Sequence, residues 1–358
     1  MEDRKKNERI CWLDAARGIG ILLVVLGHSE YIPAGLKCMI YGFHMPFFFF
    51  CSGLFAEDSL DLSPGAFLKK KSRAYLLPYV TCELILNCVL PFFSYPVKGM
   101  LSALAGEPMP VMELPGIPRF LGILVQWPET EFSSGLWFFT VLFNVNGLYY
   151  LLHRGGRRFS WLSPRYSVPF LAICGFLLHK KAGILLPWYP EASCLCLPFF
   201  AAGVRIGRKG LPNLETMLSW HMGLGMLILS TGASLLYGLL TGQHPDYHLS
   251  AVEEPVTAYL AGFSGIFFLC FLGIILEKSR ILRFTGENSL FYFAFDWIGT
   301  KLLLKAGVLL GLPGGLMLII SAAGALFVTI PIALFFKRYL PGCFGMAKAG
   351  KALGETDR

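Results

Sequence analysis

Three ionisable side chains lie in the first long apolar stretch of the chain, where a charged group facing lipid would be costly. They are Asp14, Arg17 and His28. At about 100° per residue, the eleven steps from Arg17 to His28 complete three helical turns with only about 20° left over. Asp14 falls within about 40° of the same direction. All three therefore share one stripe of a helix, with His28 roughly 16 Å beyond Arg17.

A second histidine follows in the next apolar stretch. His44 stands in Phe43-His44-Met45-Pro46, shortly after the connection between the two stretches, so it should lie at a depth close to that of His28. Imidazole titrates near neutral pH and is the commonest general base. Two imidazoles at one depth therefore favour proton transfer from a substrate hydroxyl. A metal site is the weaker alternative, because no third Asp, Glu or Cys ligand is evident at matching depth in these two helices.

Asp14 and Arg17 should pair and face the interior of a helix bundle, since ionisable residues within a membrane helix are functional candidates by default. For these two residues a purely structural ion pair that anchors the helix is an equally good alternative. His28 has no carboxylate within reach on its own helix, and the sequence gives it no such structural partner.

The elements that position these residues follow from composition. Of the 358 residues, 55% are hydrophobic and 15% are charged, whereas soluble domains carry roughly 25% charged residues. The mean hydropathy is +0.58. Alternation with a period of two is absent, so we expect an all-α integral membrane protein that forms a single domain, 1–358, with a short basic C-terminal tail. Ten stretches are candidate spans: 10–30, 38–56, 75–95, 135–152, 167–186, 191–206, 217–239, 256–276, 287–306 and 314–336.

Charge predicts the orientation of these spans. With an even number of spans both termini lie on one side, and 23 of the 31 Lys and Arg residues fall on that side. The opposite side carries acidic segments at 98–134 and 240–254. Both termini are therefore predicted to be cytosolic, and the net charge of +8 is a signal of orientation in the lipid bilayer that requires no nucleic acid. The turn at 188–190 leaves a re-entrant segment between the fifth and sixth spans as an alternative.

Two runs carry a family resemblance. The segments 12–29 and 43–53 resemble the bacterial acyltransferase family 3, a family of membrane O-acyltransferases that includes fucose O-acetylase-like proteins. Its members share an Arg, ten intervening residues and a His, which here are Arg17 and His28. Arg73 ahead of 75–79, and the segment 135–139, are also similar to the family. One departure is Asp296, which stands ten residues after Gly286, where many members have His.

The resemblance implies a function and a set of site residues. Family members transfer an acyl group from cytosolic acyl-CoA to a sugar hydroxyl. We therefore expect acetyl-CoA as donor, a cell-surface or lipid-linked carbohydrate as acceptor, no metal, and a location in the bacterial inner membrane. The catalytic candidates are His28, Arg17, His44 and Asp14. Donor binding is assigned to Arg73, Lys71 and Arg17, and acceptor binding to Trp137, Glu129, Ser52 and Asp296.

Several alternatives stay open at this stage. The lysines before Arg73 also suit a role in setting topology, and Trp137 also suits the aromatic belt at the membrane interface. Direct transfer and an acyl-histidine intermediate are equally compatible with the residues. A secondary transporter is the competing function, because ten helices and intramembrane charges suit transport as well. Against it, residues 180–358 contain no counterpart of the first two spans with their Asp, Arg and two His residues. A non-catalytic scaffold would explain neither His28 nor His44.

Overall fold

The computed structural model describes residues 10–29, 31–106, 108, 116–126, 136–182 and 186–346, and within these ranges it contains helices and no strand. The prediction of an all-α protein is confirmed. The helices of eight or more residues, labelled α1 to α12 in chain order, are Cys11–Gly27, Ala34–Leu54, 64–105, Ile117–Val125, Trp137–Arg158, Pro164–Ala182, Pro190–Ile206, Trp220–Thr241, Pro255–Ile275, Arg280–Glu287, Ser289–Leu309 and Gly314–Tyr339.

A helix occupies each of the ten stretches predicted to cross the membrane. Within the described ranges, five helical segments are long and apolar enough to cross a bilayer: Ala34–Leu54, Pro64–Phe92, Trp220–Thr241, Pro255–Ile275 and Gly314–Tyr339. These features are those of a multi-pass membrane protein. The predicted turn at 188–190 is present, with left-handed backbone at Trp188 (φ 67°) and Tyr189 (φ 51°).

Helix α3 is widened at two places by π-helical turns, Ser72–Leu76 and Ile85–Val89. Each of these turns is closed by a bond from the residue that precedes a proline: Leu77 donates to the carbonyl of Ser72, and Leu90 donates to that of Ile85. Because Pro78 and Pro91 have no N–H to continue the α-helical ladder, the wider turn follows from the sequence. Lys71, which precedes the first π turn, lines one cavity together with Ala74 and Tyr75 of that turn.

Glycine contacts hold α1 against its neighbours. A Cβ on Gly18 would overlap the backbone oxygen of Leu282 in α10, and a Cβ on Gly286 would overlap that of Asp14 in α1. Helix α2 packs in the same way on α7, where Gly53 meets the backbone oxygen of Phe200. These contacts leave no room for side chains between the helices and so fix how far each helix is from the next.

We expect Gly18→Ala to destabilise the fold, because the added methyl group meets backbone rather than a flexible side chain. Such overpacking costs about 1–3 kcal/mol. The matched control is Gly147→Ala in α5, where a Cβ would meet nothing within 4 Å. There the change should stabilise the helix by roughly 0.5–1 kcal/mol, since Ala is the better helix former. Thermal unfolding in detergent compares the two variants, and equal shifts of Tm would contradict the packing described.

Candidate active site

Helix α1 borders two cavities. Arg17 lines the larger one, of about 290 Å³, and His28 lines the smaller one, of about 150 Å³. The larger is called here the inner cavity and the smaller the outer cavity. The stripe predicted from the sequence therefore runs from one cavity to the other along a single helix.

His28 stands at the C-terminal end of α1, where its backbone N–H donates to the carbonyl of Val24. Its Nδ1 lies 3.9 Å from Oδ2 of Asp296, whose side chain is 7% exposed, whereas that of His28 is 54% exposed. A carboxylate beside Nδ1 favours the tautomer with its proton on that nitrogen, which leaves Nε2 as the basic nitrogen. Asp296 thus occupies the orienting position of a histidine–carboxylate pair. The sequence predicts acceptor binding for Asp296, whereas the structure places its carboxylate beside His28 and not in the lining of the outer cavity.

His44 lines the same outer cavity from α2. Its Nδ1 lies 2.8 Å from the carbonyl oxygen of Ile40. Because a carbonyl can only accept, Nδ1 must donate, and Nε2 then carries the free lone pair. The structure therefore places His28 and His44 on the same cavity. A hydrogen bond determines the basic nitrogen of His44, and the nearby carboxylate favours the same nitrogen in His28. Within the described ranges, no three His, Cys, Asp or Glu side chains are grouped as metal ligands.

Trp137 forms part of the wall of the outer cavity and is buried, at 8% exposed, so it does not belong to an interfacial belt. Its indole stacks on the imidazole of His248, with 4.9 Å between ring centroids and 19° between planes. Tyr41, another residue of the wall, packs edge-on against His244 at 4.3 Å.

The segment 242–254 supplies Pro245, Asp246, Tyr247 and His248 to the outer cavity, and sequence reasoning missed it. The sequence marks this segment only as an acidic stretch that helps to set the orientation of the spans. Two histidines and an aspartate within five residues of this segment could have indicated a polar site. Oδ1 of Asp246 accepts from the backbone N–H groups of His248 at 2.8 Å and Leu249 at 3.2 Å, which gives the segment a defined turn.

Both histidines of this segment are held in the neutral form. Burial lowers the pKa of His248 below its ordinary value, and the carboxylate of Asp246 opposes that shift. Burial also lowers the pKa of His244, with Lys37 adding to the effect and Asp246 again opposing it. Near neutral pH each ring therefore offers one donor and one acceptor nitrogen.

The inner cavity is lined by cationic and hydroxyl groups. Arg17 pairs with Asp14 at 3.8 Å, which confirms the predicted pairing, and lies over the Phe55 ring at 5.6 Å. Lys71 is buried at 6% exposed, and its ammonium lies over the rings of Phe67 at 5.8 Å and Tyr75 at 5.9 Å.

Ser52 lines the inner cavity rather than the outer one. Its Oγ lies 2.9 Å from the hydroxyl of Tyr75 and accepts from Nδ2 of Asn146 at 3.3 Å. Arg73 is exposed and lines neither cavity, whereas Lys71 lines the inner one. Glu129 lies outside the described residues.

Aromatic rings separate the two cavities. Phe293 of α11 lines both of them, and Phe48 and Phe138 line the inner cavity beside it. The ring centroids of Phe138 and Phe293 are 4.9 Å apart, and those of Phe48 and Phe138 are 6.0 Å apart. An apolar wall one ring thick therefore lies between the cations of Arg17 and Lys71 and the imidazole of His28.

Comparison with known proteins gives one match over nearly the whole chain. A model of the acyltransferase family 3, described as an acyltransferase domain, matches residues 10–338, which confirms the resemblance seen in the sequence. The 4-hydroxybenzoate octaprenyltransferase of Legionella pneumophila is 28% identical over 118 residues, a stretch that covers 33% of this chain and 37% of that protein. The chain thus spans just over a third of the length of that relative. No solved structure matches the chain.

Acid should loosen the segment 242–254. The pKa values of His244 and His248 are lowered in the folded protein, so the unfolded chain binds these protons more readily. Their contribution to stability is therefore complete above about pH 6.5 and is lost as the pH falls through the folded-state values. Hydrogen exchange, corrected for the intrinsic effect of pH, should show less protection of 242–254 at pH 5 than at pH 7.5. Unchanged protection, or the same change after His244→Gln and His248→Gln, would contradict this.

Proposed function

The chain belongs to the acyltransferase family 3, so it is a membrane acyltransferase, and we propose that it moves an acetyl group from cytosolic acetyl-CoA to a carbohydrate hydroxyl on the opposite face of the membrane. One observation carries this proposal. A single helix, α1, presents a cation to one cavity and a histidine paired with a carboxylate to another. Such an arrangement suits a reaction whose anionic donor and neutral acceptor arrive from different sides.

The inner cavity supports the donor end of the proposal. Acyl-CoA carries phosphates, which pair with Lys and Arg. Arg17 and Lys71 line the cavity, and the guanidinium of Arg208 lies over the ring of Phe55 at 5.9 Å. The hydroxyl groups of Ser52 and Tyr75 offer hydrogen bonds to the amides of the pantetheine arm. We place the arm along α1, with its thioester directed toward Phe293.

The outer cavity supports the acceptor end. Nε2 of His28 removes the proton of the acceptor hydroxyl as its oxygen attacks the thioester carbon. The new C–O bond forms, the C–S bond breaks, and the proton passes to the thiolate of CoA. Asp296 stabilises the imidazolium that forms in between. His44, with its own basic Nε2, orients the acceptor. If the acetyl group first resides on His28, the same residues serve both half-reactions.

The topology belongs to the same proposal. Ten spans with both termini in the cytosol place the lysines near residue 71 on the cytosolic side and His28 toward the outside. The enzyme then works in the bacterial inner membrane and modifies a lipid-linked or cell-surface polysaccharide of the envelope by O-acetylation. In this scheme Ser52 and Asp14 belong to the donor site, and Trp137 belongs to the acceptor site.

His28→Ala and Asp296→Asn test the chemistry. Membranes containing the protein, supplied with labelled acetyl-CoA, should form a labelled ester on glycan or glycolipid. Removal of a general base costs about 10²–10⁴-fold in rate. We expect His28→Ala to lose activity in this range, and Asp296→Asn to lose much of it because the tautomer and the imidazolium are no longer stabilised. The control is His221→Ala, an exposed residue that lines neither cavity.

Equal activity of His28→Ala and His221→Ala would refute the role of His28. The transporter alternative has its own signature. In that case an acceptor would cross proteoliposomes without acyl-CoA, and no ester would form.

Lys71→Met and Arg73→Met separate the two candidate donor cations. Lys71 lines the inner cavity and Arg73 does not, so only the first change should raise KM for acetyl-CoA. Loss of a charge-assisted hydrogen bond corresponds to about tenfold or more. The value of KM at saturating acceptor is the measurement. A larger effect of Arg73→Met would show that the phosphates bind at the exposed surface instead.

A further inference from the structure

Arg208 lies at the edge of the inner cavity without lining it. Its guanidinium lies over the ring of Phe55 at 5.9 Å, and Phe55 is one of the lining residues. The guanidinium of Arg17, which does line the cavity, lies over the same ring at 5.6 Å. Two cations therefore contact one aromatic ring, and only one of them belongs to the cavity.

The packing of α2 on α7 fixes the position of Arg208. A Cβ on Gly203 would overlap the backbone oxygen of Phe50, so the two helices touch near their C-terminal ends. Helix α7 ends just before Gly207, which has left-handed backbone with φ 58°. Glycine is the residue that takes this conformation at least cost. Arg208 follows this turn directly and is partly buried, beside the end of α2 where Phe55 stands.

The inner cavity is too small for a whole molecule of acyl-CoA. Its volume of about 290 Å³ is below the roughly 300–1,000 Å³ of sites that enclose a drug-sized ligand, and acyl-CoA is larger than such a ligand. The acyl group and the pantetheine arm therefore enter the cavity, and the nucleotide lies outside it.

The phosphate groups of the donor are then divided between the cavity and its surroundings. The pyrophosphate is attached to the pantetheine arm, whereas the remaining phosphate is on the 3′ oxygen of the ribose. Because the arm enters first, the pyrophosphate comes to Arg17 and Lys71, and the ribose phosphate stays outside. Resting on the function proposed above, we infer that Arg208 binds the ribose 3′-phosphate and makes the donor site selective for CoA over 3′-dephospho-CoA.

Arginine suits this role because its planar guanidinium forms two parallel hydrogen bonds to a phosphate. The ring of Phe55 holds the guanidinium of Arg208 by a cation–π contact before the donor arrives. Less side-chain freedom is then lost when the phosphate binds.

Arg208→Met tests this assignment. Arg205→Met is the matched control, because it removes the same charge from an exposed residue in the last turn of α7 that lines neither cavity. The probes are CoA and 3′-dephospho-CoA, which differ only in the ribose phosphate. Their affinities are measured in detergent by competition with radiolabelled CoA, so that the result does not depend on catalysis.

We expect the native protein and Arg205→Met to bind CoA about tenfold or more tightly than 3′-dephospho-CoA, as the loss of a charge-assisted hydrogen bond predicts. In Arg208→Met the two compounds should bind equally, with the affinity for 3′-dephospho-CoA unchanged. If Arg208 served only to pack on Phe55, the change would weaken both compounds alike and leave their ratio as it is.

The same ratio in Arg208→Met as in the native protein overturns the assignment, and so does equal affinity of the native protein for the two compounds. Loss of the preference in Arg205→Met as well would overturn it too, because the ratio would then reflect the general positive charge of this surface. If Arg208→Met binds neither compound, the same ratio in Arg208→Gln decides.

Transfer of label from acetyl-CoA is measured in parallel. If discrimination depends on Arg208 but no protein forms the ester, the proposed reaction fails and the binding assignment stands. If the ester forms and the KM ratio of acetyl-CoA and its 3′-dephospho form is the same in Arg208→Met as in the native protein, the assignment alone fails.

Discussion

The contact between the backbones of α1 and α10 is the constraint on which the site depends. Gly18 and Gly286 allow the two helices to touch, and α11 begins immediately after α10. The start of α11 is therefore fixed relative to α1, and Asp296, two turns into α11, comes to face His28 at the other end of α1. A side chain at either glycine would separate the helices and with them the histidine and its carboxylate.

The aromatic side chains between the two cavities separate the side of Arg17 from the side of His28. Phe293 borders both cavities, so a thioester that enters beside Arg17 meets this ring before it meets His28. Phe293 is the lining residue that the two cavities share, and the helices on either side are held by glycine contacts.

The placement of the ionisable residues on α1 could be predicted from the sequence, because it depends on periodicity within one helix. The shared stripe of Arg17 and His28 and the pairing of Asp14 with Arg17 are of this kind. What could not be predicted depends on contacts between distant segments. Asp296 reaches His28 through the packing of α10 and α11 on α1, and Arg73, which the sequence assigned to the donor together with Lys71, lines neither cavity. The histidines of 242–254 were visible as residues, but nothing in the sequence showed that the segment folds over the outer cavity.

We propose that the acetyl group passes from the side of Arg17 to the side of His28. Sealed proteoliposomes test it directly, with labelled acetyl-CoA on one side only and an impermeant glycan acceptor on one side only. After selection of molecules in a single orientation, labelled ester should form only when donor and acceptor are on opposite sides. Ester formation only when both are on the same side would contradict it.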